Sequence, residues 1–273
     1  MLAHHTLGWT IAACQRGASH IQHNLPCQDA FAIRTESIKG KPCIALAVAD
    51  GHGDKKHDLS QYGAQFAVTL AVEQLLHFFQ HFYIEQGSLP LLIKNFRQDF
   101  PRRLVRLWRN TVTTDVKRRF PLSASLDLQT QIKRYGSTVL VALVLPELLL
   151  LGQLGDGDIL RLATDGTTAR PFQEDAHLLG NATFSLISTD ADKYWQTRAI
   201  ERQAGESLLL ATDGLINAFA DEQQFQAFAQ SLLARVTQFG VEAVEQALPQ
   251  WLDHYSAQGS GDDITVIIFS GNR

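Results

Sequence analysis

Short, largely apolar runs recur along this chain: residues 9–14, 30–34, 44–49, 138–145, 148–151, 159–163, 207–211 and 264–269. They are too short for ordinary helices and rich in Val, Ile and Leu, which predicts buried strands. The segments between them carry a different period. Val68, Val72, Leu75, Phe79 and Phe82 recur at steps of four and three, predicting one face of a long helix that ends at Gly87. Ser88 predicts the cap of a second helix, which Pro101 breaks or restarts before Leu104, Trp108, Val112 and Val116. Asp221 and Gln224 resemble a capping box opening a helix through Phe225, Phe228, Leu232, Val236 and Phe239, closed by Gly240. A last helix runs through Val244, Leu248, Trp251 and Tyr255. Strand clusters separated by helix pairs predict an α+β chain with largely antiparallel sheets rather than regular βαβ winding. No linker or repeat divides the chain, so a single domain over residues 1–273 is expected.

Composition narrows the function classes. The chain is 45% hydrophobic and 19% charged with a formal charge of −4, which gives no electrostatic reason to expect nucleic acid. Cys14, Cys27 and Cys43 are an odd set without a CxxC pair, which argues against a disulfide framework or a thiolate zinc site and for a reducing cytoplasm. The N-terminus has no Lys or Arg before its apolar residues and reads as a strand, not a secretion signal. The most apolar stretch, VLVALVLPELLLLG, is broken by Pro146-Glu147 and falls short of the roughly 20 residues a bilayer requires, so no membrane is expected.

The tetrapeptide Ala-Thr-Asp-Gly occurs twice, at 163–166 and 211–214. The first copy lies between ILRL and TTARPF, and Asp165-Gly166 there suits a type I′ hairpin turn. The second ends the run SLLL, which places Asp213 where a buried strand gives way to a helical segment. Asp50 ends another strand, Asp29 precedes a third, and Asp262 and Asp263 precede a fourth. Antiparallel pairing can bring these carboxylates to one sheet edge. Such crowding requires protonation or cations, and oxygen ligands without cysteine suit Mg2+ or Mn2+ better than zinc. Glycine after Asp50 and Asp213 lets the backbone turn closely, and the Gly51 carbonyl is a further candidate ligand.

The ordered set PCQDAF, VADGHGD, YGSTVLVALV, GQLGDGD, LLLATDGL and GDDITVIIF resembles the metal-dependent serine/threonine phosphatases of the protein phosphatase 2C family. It spans residues 29–269, and SHIQHNLPCQDAF is most similar to a bacterial branch often encoded beside a protein kinase and a von Willebrand A-type protein. The resemblance implies a four-layer αββα sandwich, two antiparallel sheets flanked by helices. It implies two Mn2+ or Mg2+ ions, bridged by Asp50 and completed by Gly51, Asp213 and Asp262, with Asp29 binding directly or through water. It further implies a two-metal-activated water attacking phosphoserine or phosphothreonine in a protein, and His52 as the acid for the leaving oxygen. The expected partners are a phosphorylated protein and, by the branch, the cognate kinase and von Willebrand A-type protein.

The chain departs from the family pattern at several positions. Asn24 stands where many relatives have a phosphate-holding Arg, Gln28 where some have Glu, Asp158 where Arg is common, and Asp263 where Asn is frequent. Lys133 and Arg134 occupy the place in which an acidic residue would argue for a third metal, and they become the candidates for binding the substrate phosphate. The segment 173–203 falls where the family has a variable flap. These departures leave two classes of function: a divergent phosphatase, or a pseudophosphatase acting as a phosphoprotein- or metal-binding regulatory module.

Overall fold

Every strand in the central layers obeys a period of two, and this is what stacks the molecule into four layers. In the computed structural model, which describes residues 1–120, 127–172 and 184–272, eleven strands form two sheets. The six-stranded sheet has the order β1 (Leu2–His5), β2 (Gly8–Gln15), β11 (Ile264–Gly271), β10 (Ser207–Ala211), β7 (Asp158–Leu162), β8 (Thr168–Ala169). The five-stranded sheet has the order β3 (Ala30–Ile38), β4 (Lys41–Ala49), β5 (Val139–Val144), β6 (Leu148–Leu154), β9 (Gln196–Glu201). All neighbouring pairs are antiparallel.

Alternate residues of one strand serve different cores. Ile44, Leu46 and Val48 of β4, Leu140, Ala142 and Val144 of β5, and Leu208 and Leu210 of β10 fill the space between the sheets. Their neighbours Cys43, Ala45, Ala47, Val139, Val141 and Leu143 pack against α2 (Ser60–Phe78), α3 (Leu89–Gln98) and α4 (Phe100–Arg119). On the other side Leu209, Ala211, Val266 and Ile268 pack under α7 (Glu222–Phe239) and α8 (Val241–Tyr255). A strand covered on both faces has no polar side to alternate with, which explains the largely apolar runs.

Local signals place the helix ends. The Ser88 hydroxyl accepts from the Leu91 N–H at 3.2 Å at the start of α3, and the Asp221 carboxylate accepts from the Gln224 N–H at 2.9 Å at the start of α7. The long helix begins at Ser60 and continues beyond Phe78 as a π-helical segment, Phe79–Glu85. Two expectations need correction. The turn at Asp165-Gly166 is not type I′: only Gly166 has positive φ, +88°, whereas Asp165 keeps an ordinary backbone and its carboxylate accepts from the Thr167 N–H at 2.9 Å. The edge strand β9 was not foreseen, because its residues are half-buried or exposed and carry no apolar run.

Leu210 is fully buried between the sheets. Leu210→Ala is expected to lower the free energy of unfolding by about 2–5 kcal/mol, read from urea melts, with the fold retained.

Candidate functional site

Register decides which strand ends meet. β3 and β4 pair Ala30 with Ala49, so Asp29, just before one strand, lies beside Asp50, just after the other. In the opposite sheet Ala211 pairs with Val266 and with Asp158, so the end of β10, the start of β11 and the start of β7 share one edge. The connection from β6 to β7 crosses between the sheets at this same edge and carries Asp156. Carboxylate oxygens of Asp50, Asp156 and Asp213 lie within 4.8 Å of one another. Asp262 also acts on Asp50 and Asp213 electrostatically, and Asp29 acts on Asp50.

The backbone around these residues is tight. At Gly51 a Cβ would lie 2.6 Å from the Gln28 carbonyl oxygen, and at Gly214 one would lie 2.1 Å from the Asp263 carbonyl oxygen. Glycine follows each aspartate because another chain segment occupies the space a side chain would need. Among the described residues, no backbone or side-chain donor reaches the Gly51 carbonyl oxygen, while the adjacent Asp50 carbonyl accepts from the Thr138 N–H at 2.8 Å. Asp29 is buried, and its carboxylate accepts from the Thr212 hydroxyl at 2.8 Å, which ties β3 to the end of β10. Gln28 is buried too: its amide donates to the Ser60 hydroxyl at 2.6 Å, and its Oε1 has no partner among the described residues.

Asp263 holds this edge together without belonging to the three-carboxylate group. Its oxygens accept from the Gly17 and Gln28 N–H groups, each at 2.6 Å, and lie 2.9 Å from Nδ1 of the buried His20. His20 Nε2 in turn lies 3.7 Å from Asp262. Sequence reasoning missed both His20 and Asp156. Asp156 was legible by the rule that found the others, an aspartate at a strand end, but it lies inside Gly-Asp-Gly and reads as an ordinary turn. His20 offers no local signal.

The remaining candidates fall as follows. The His52 ring is half-buried, 4.9 Å from that of His57, and its backbone N–H donates to the Gly136 carbonyl at 3.1 Å. Burial, and then the charge of His57, push its pKa below the ordinary histidine value, against a smaller opposing pull from Asp156. Arg134 is ion-paired with Asp58. Its guanidinium donates to both oxygens of Asp58 at 2.7 Å and to Gln131 at 2.8 Å, and it stacks 5.0 Å over the Phe120 ring. That bidentate pair holds the Asp58 carboxyl below its usual range, and no described contact joins Arg134 to the aspartates. The Lys133 side chain is exposed and its charge acts on Asp127. Asp158 is ion-paired with Arg170 at 2.9 Å, and Asp165 lies exposed in its hairpin. Of the flap, residues 173–183 lie outside the described residues; Leu186 donates its N–H to the Ser137 carbonyl at 2.9 Å, which seats the following segment beside the site.

Burial is the main cause that raises the pKa values of Asp29, Asp50, Asp213 and Asp262 above the usual range; at Asp50 the charges of Asp29 and Asp213 come next. A raised value means that the fold favours the protonated form. This contribution to stability is complete below the unfolded carboxylate pKa of about 4 and is lost as pH rises through the folded values. In chelator, the wild-type melting temperature is therefore expected to fall as pH rises above about 4, and Asp50→Asn, lacking one of the charges, is expected to fall less. Equal slopes for the two proteins would contradict this electrostatic account.

The geometry agrees with comparisons to known proteins. The catalytic domain of serine/threonine protein phosphatase PstP in complex with two manganese ions shares the fold with a TM-score of 0.55 at 19% identity, covering 97% of this chain and 98% of that one. The S. agalactiae serine/threonine phosphatase gives 0.60 at 15% identity, with 97% and 99% covered. RsbX in complex with magnesium gives 0.56 at 11% identity, with 100% and 99% covered. No curated protein gives a significant sequence match. The sequence profile of protein phosphatase 2C matches residues 16–253. With that match over most of its length and with two antiparallel sheets flanked by helices, the chain belongs to the protein phosphatase 2C family.

Proposed function

We propose that this chain hydrolyses phosphoserine and phosphothreonine in proteins, using two Mn2+ or Mg2+ ions held by Asp29, Asp50, the Gly51 carbonyl, Asp213 and Asp262. The observation that carries the reading is the gathering of Asp50, Asp156 and Asp213 oxygens within 4.8 Å at one sheet edge. Carboxylates so close, with raised pKa values, are poorly stable together as anions and are relieved by hard divalent cations. The Gly51 carbonyl, next to Asp50 and without a described donor, adds a neutral oxygen to the same donor set. Manganese in the PstP neighbour and magnesium in RsbX support the choice of ion. The chemistry such ions supply is water activation at neutral pH and neutralisation of phosphoryl charge.

The chain's own residues do the rest. Asp50, between the other carboxylates, and Asp213, on the opposite sheet, fix the spacing of the centre. Thr212 orients the Asp29 carboxylate. His52 is neutral at neutral pH in the free protein, and a phosphate dianion beside it would raise its proton affinity, so the imidazole gains a proton as substrate arrives and can deliver it to the departing seryl or threonyl oxygen. Ser137 is fully buried with its hydroxyl donated to the Thr138 carbonyl at 2.8 Å, which removes it as a nucleophile and leaves water in that role.

Hydrolysis of a small aryl phosphate and of a phosphopeptide in Mn2+ tests the reading. Asp50→Asn and Asp213→Asn are each expected to fall to about a hundredth of wild type or less, a larger loss than residues merely supporting metal ligands show. Asp165→Asn is expected to stay within about twofold, as for an exposed turn residue. Folded wild type that binds Mn2+ but hydrolyses neither substrate would favour the regulatory module instead.

Mn2+ is also expected to raise the wild-type melting temperature, by linkage worth about 2.7 kcal/mol per site at a hundredfold excess over Kd, with a smaller rise in Asp50→Asn. Calorimetric or fluorescence melts across a Mn2+ titration check this, and an equal rise in both proteins would remove Asp50 from the site.

A further inference from the structure

Cys14 and Cys27 look unrelated in sequence, yet the fold brings their sulfur atoms to 3.5 Å. Cys14 is the penultimate residue of β2, and Cys27 lies in the segment between α1 (Ala18–Gln22) and β3. Both thiols sit against the Asp29 carbonyl oxygen, at 3.8 and 4.0 Å. Both are half-buried, and the residues leading to Cys27, 21–26, are exposed, so a small oxidant can reach the pair. The third thiol, Cys43, is fully buried in β4 beneath α2 and α4.

We propose that Cys14 and Cys27 form a reversible disulfide on reaction with a peroxide, and that the bond disengages the aspartate site. A disulfide S–S distance is about 2.05 Å, so the sulfurs must close by about 1.5 Å. Cys14 is held in the β2 ladder opposite Thr265 of β11, whereas the segment carrying Cys27 approaches through exposed residues, so the movement falls on Cys27. The chemistry balances without further partners. One thiol attacks a peroxide oxygen, the O–O bond breaks, and a sulfenic acid and one water form. The second thiol then attacks the sulfenic sulfur, the S–O bond breaks, and the disulfide and a second water form. A dithiol reductant returns both protons and both electrons.

Drawing Cys27 toward β2 acts on the two residues that follow it. The Gln28 N–H is bonded to Asp263 at 2.6 Å, and Asp29 is held by Thr212 at 2.8 Å. Pulling this segment strains both attachments at once, and supporting contacts of metal ligands are worth about 10–100-fold in affinity. The disulfide itself does not depend on the proposed hydrolysis; only its effect on activity rests on that reading.

The test treats the purified full chain with hydrogen peroxide in chelator. Peptide mapping is expected to find Cys14 joined to Cys27, with free thiols falling from three to one. In Mn2+ titrations followed by thermal melts, the oxidised protein is expected to require about 10–100-fold more Mn2+ for the same rise in melting temperature, and dithiothreitol is expected to restore the reduced response. Aryl phosphate hydrolysis should fall and recover in parallel. Cys14→Ser should keep the reduced protein's Mn2+ response and lose its sensitivity to peroxide. Peroxide-treated wild type that keeps three thiols, or whose cysteines oxidise without joining, overturns the proposal, as does a joined pair with unchanged Mn2+ response. Thiol count and melts read these outcomes even if the wild type hydrolyses nothing.

Discussion

Burial of aspartates gathered at one sheet edge is the constraint on which the local architecture turns. Four of them have raised pKa values, so the fold holds them in a place their charges resist. It can do so because they terminate strands whose positions are fixed elsewhere. β4, β5 and β10 are buried on both faces and registered against neighbours on both sides. Moving Asp50 or Asp213 away would slide β4 or β10 through two cores at once, and interiors packed at crystalline density do not yield that way, whereas Asp29 precedes the half-exposed edge strand β3. The site is thus stiff for the same reason that the chain is rich in apolar runs.

Stiffness within each sheet does not fix one sheet relative to the other at this edge, and Asp263 supplies that link. A carboxylate receiving two N–H groups and facing an imidazole is well matched, since all three partners can donate. Asparagine, frequent at this position in the family, would turn one acceptor into a donor and lose one of these contacts. The aspartate here therefore goes with His20, which faces both Asp263 and Asp262 and relieves part of their negative charge when protonated. Because Gly17 and Gln28 flank α1, the same carboxylate anchors the whole connection leading to Cys27 and Asp29.

The two copies of Ala-Thr-Asp-Gly mark how far sequence reasoning reaches. Asp213 was separable from Asp165 because strand and turn contexts are local, written within a few residues on each side. The buried strands were legible for the same reason, since double-sided burial leaves no polar alternation, whereas their stacking into four layers came from the family resemblance. What failed was non-local. Arg134 looked available for a phosphate because its partner Asp58 is 76 residues away, and nothing near either residue announces the pair. The strand β9 lacks an apolar run because it is an edge strand with no fully buried residue, so its pairing with β6 had no sequence signature.

Asn24 joins these threads. Its backbone is left-handed, φ 54°, a conformation that Asn tolerates better than Arg because its short polar side chain can bond locally. The chain leaves α1 through a tight turn here, with the Leu25 N–H donating to the His20 carbonyl at 2.8 Å. That turn sets the path by which residues 25–27 descend to the site, and so brings Cys27 beside Cys14. Placing Arg at 24 again would favour a different backbone, displacing Cys27 and Asp29 together. The left-handed residue at 24 and the facing thiols are thus joined by one loop conformation, which also sets where Asp29 enters the site.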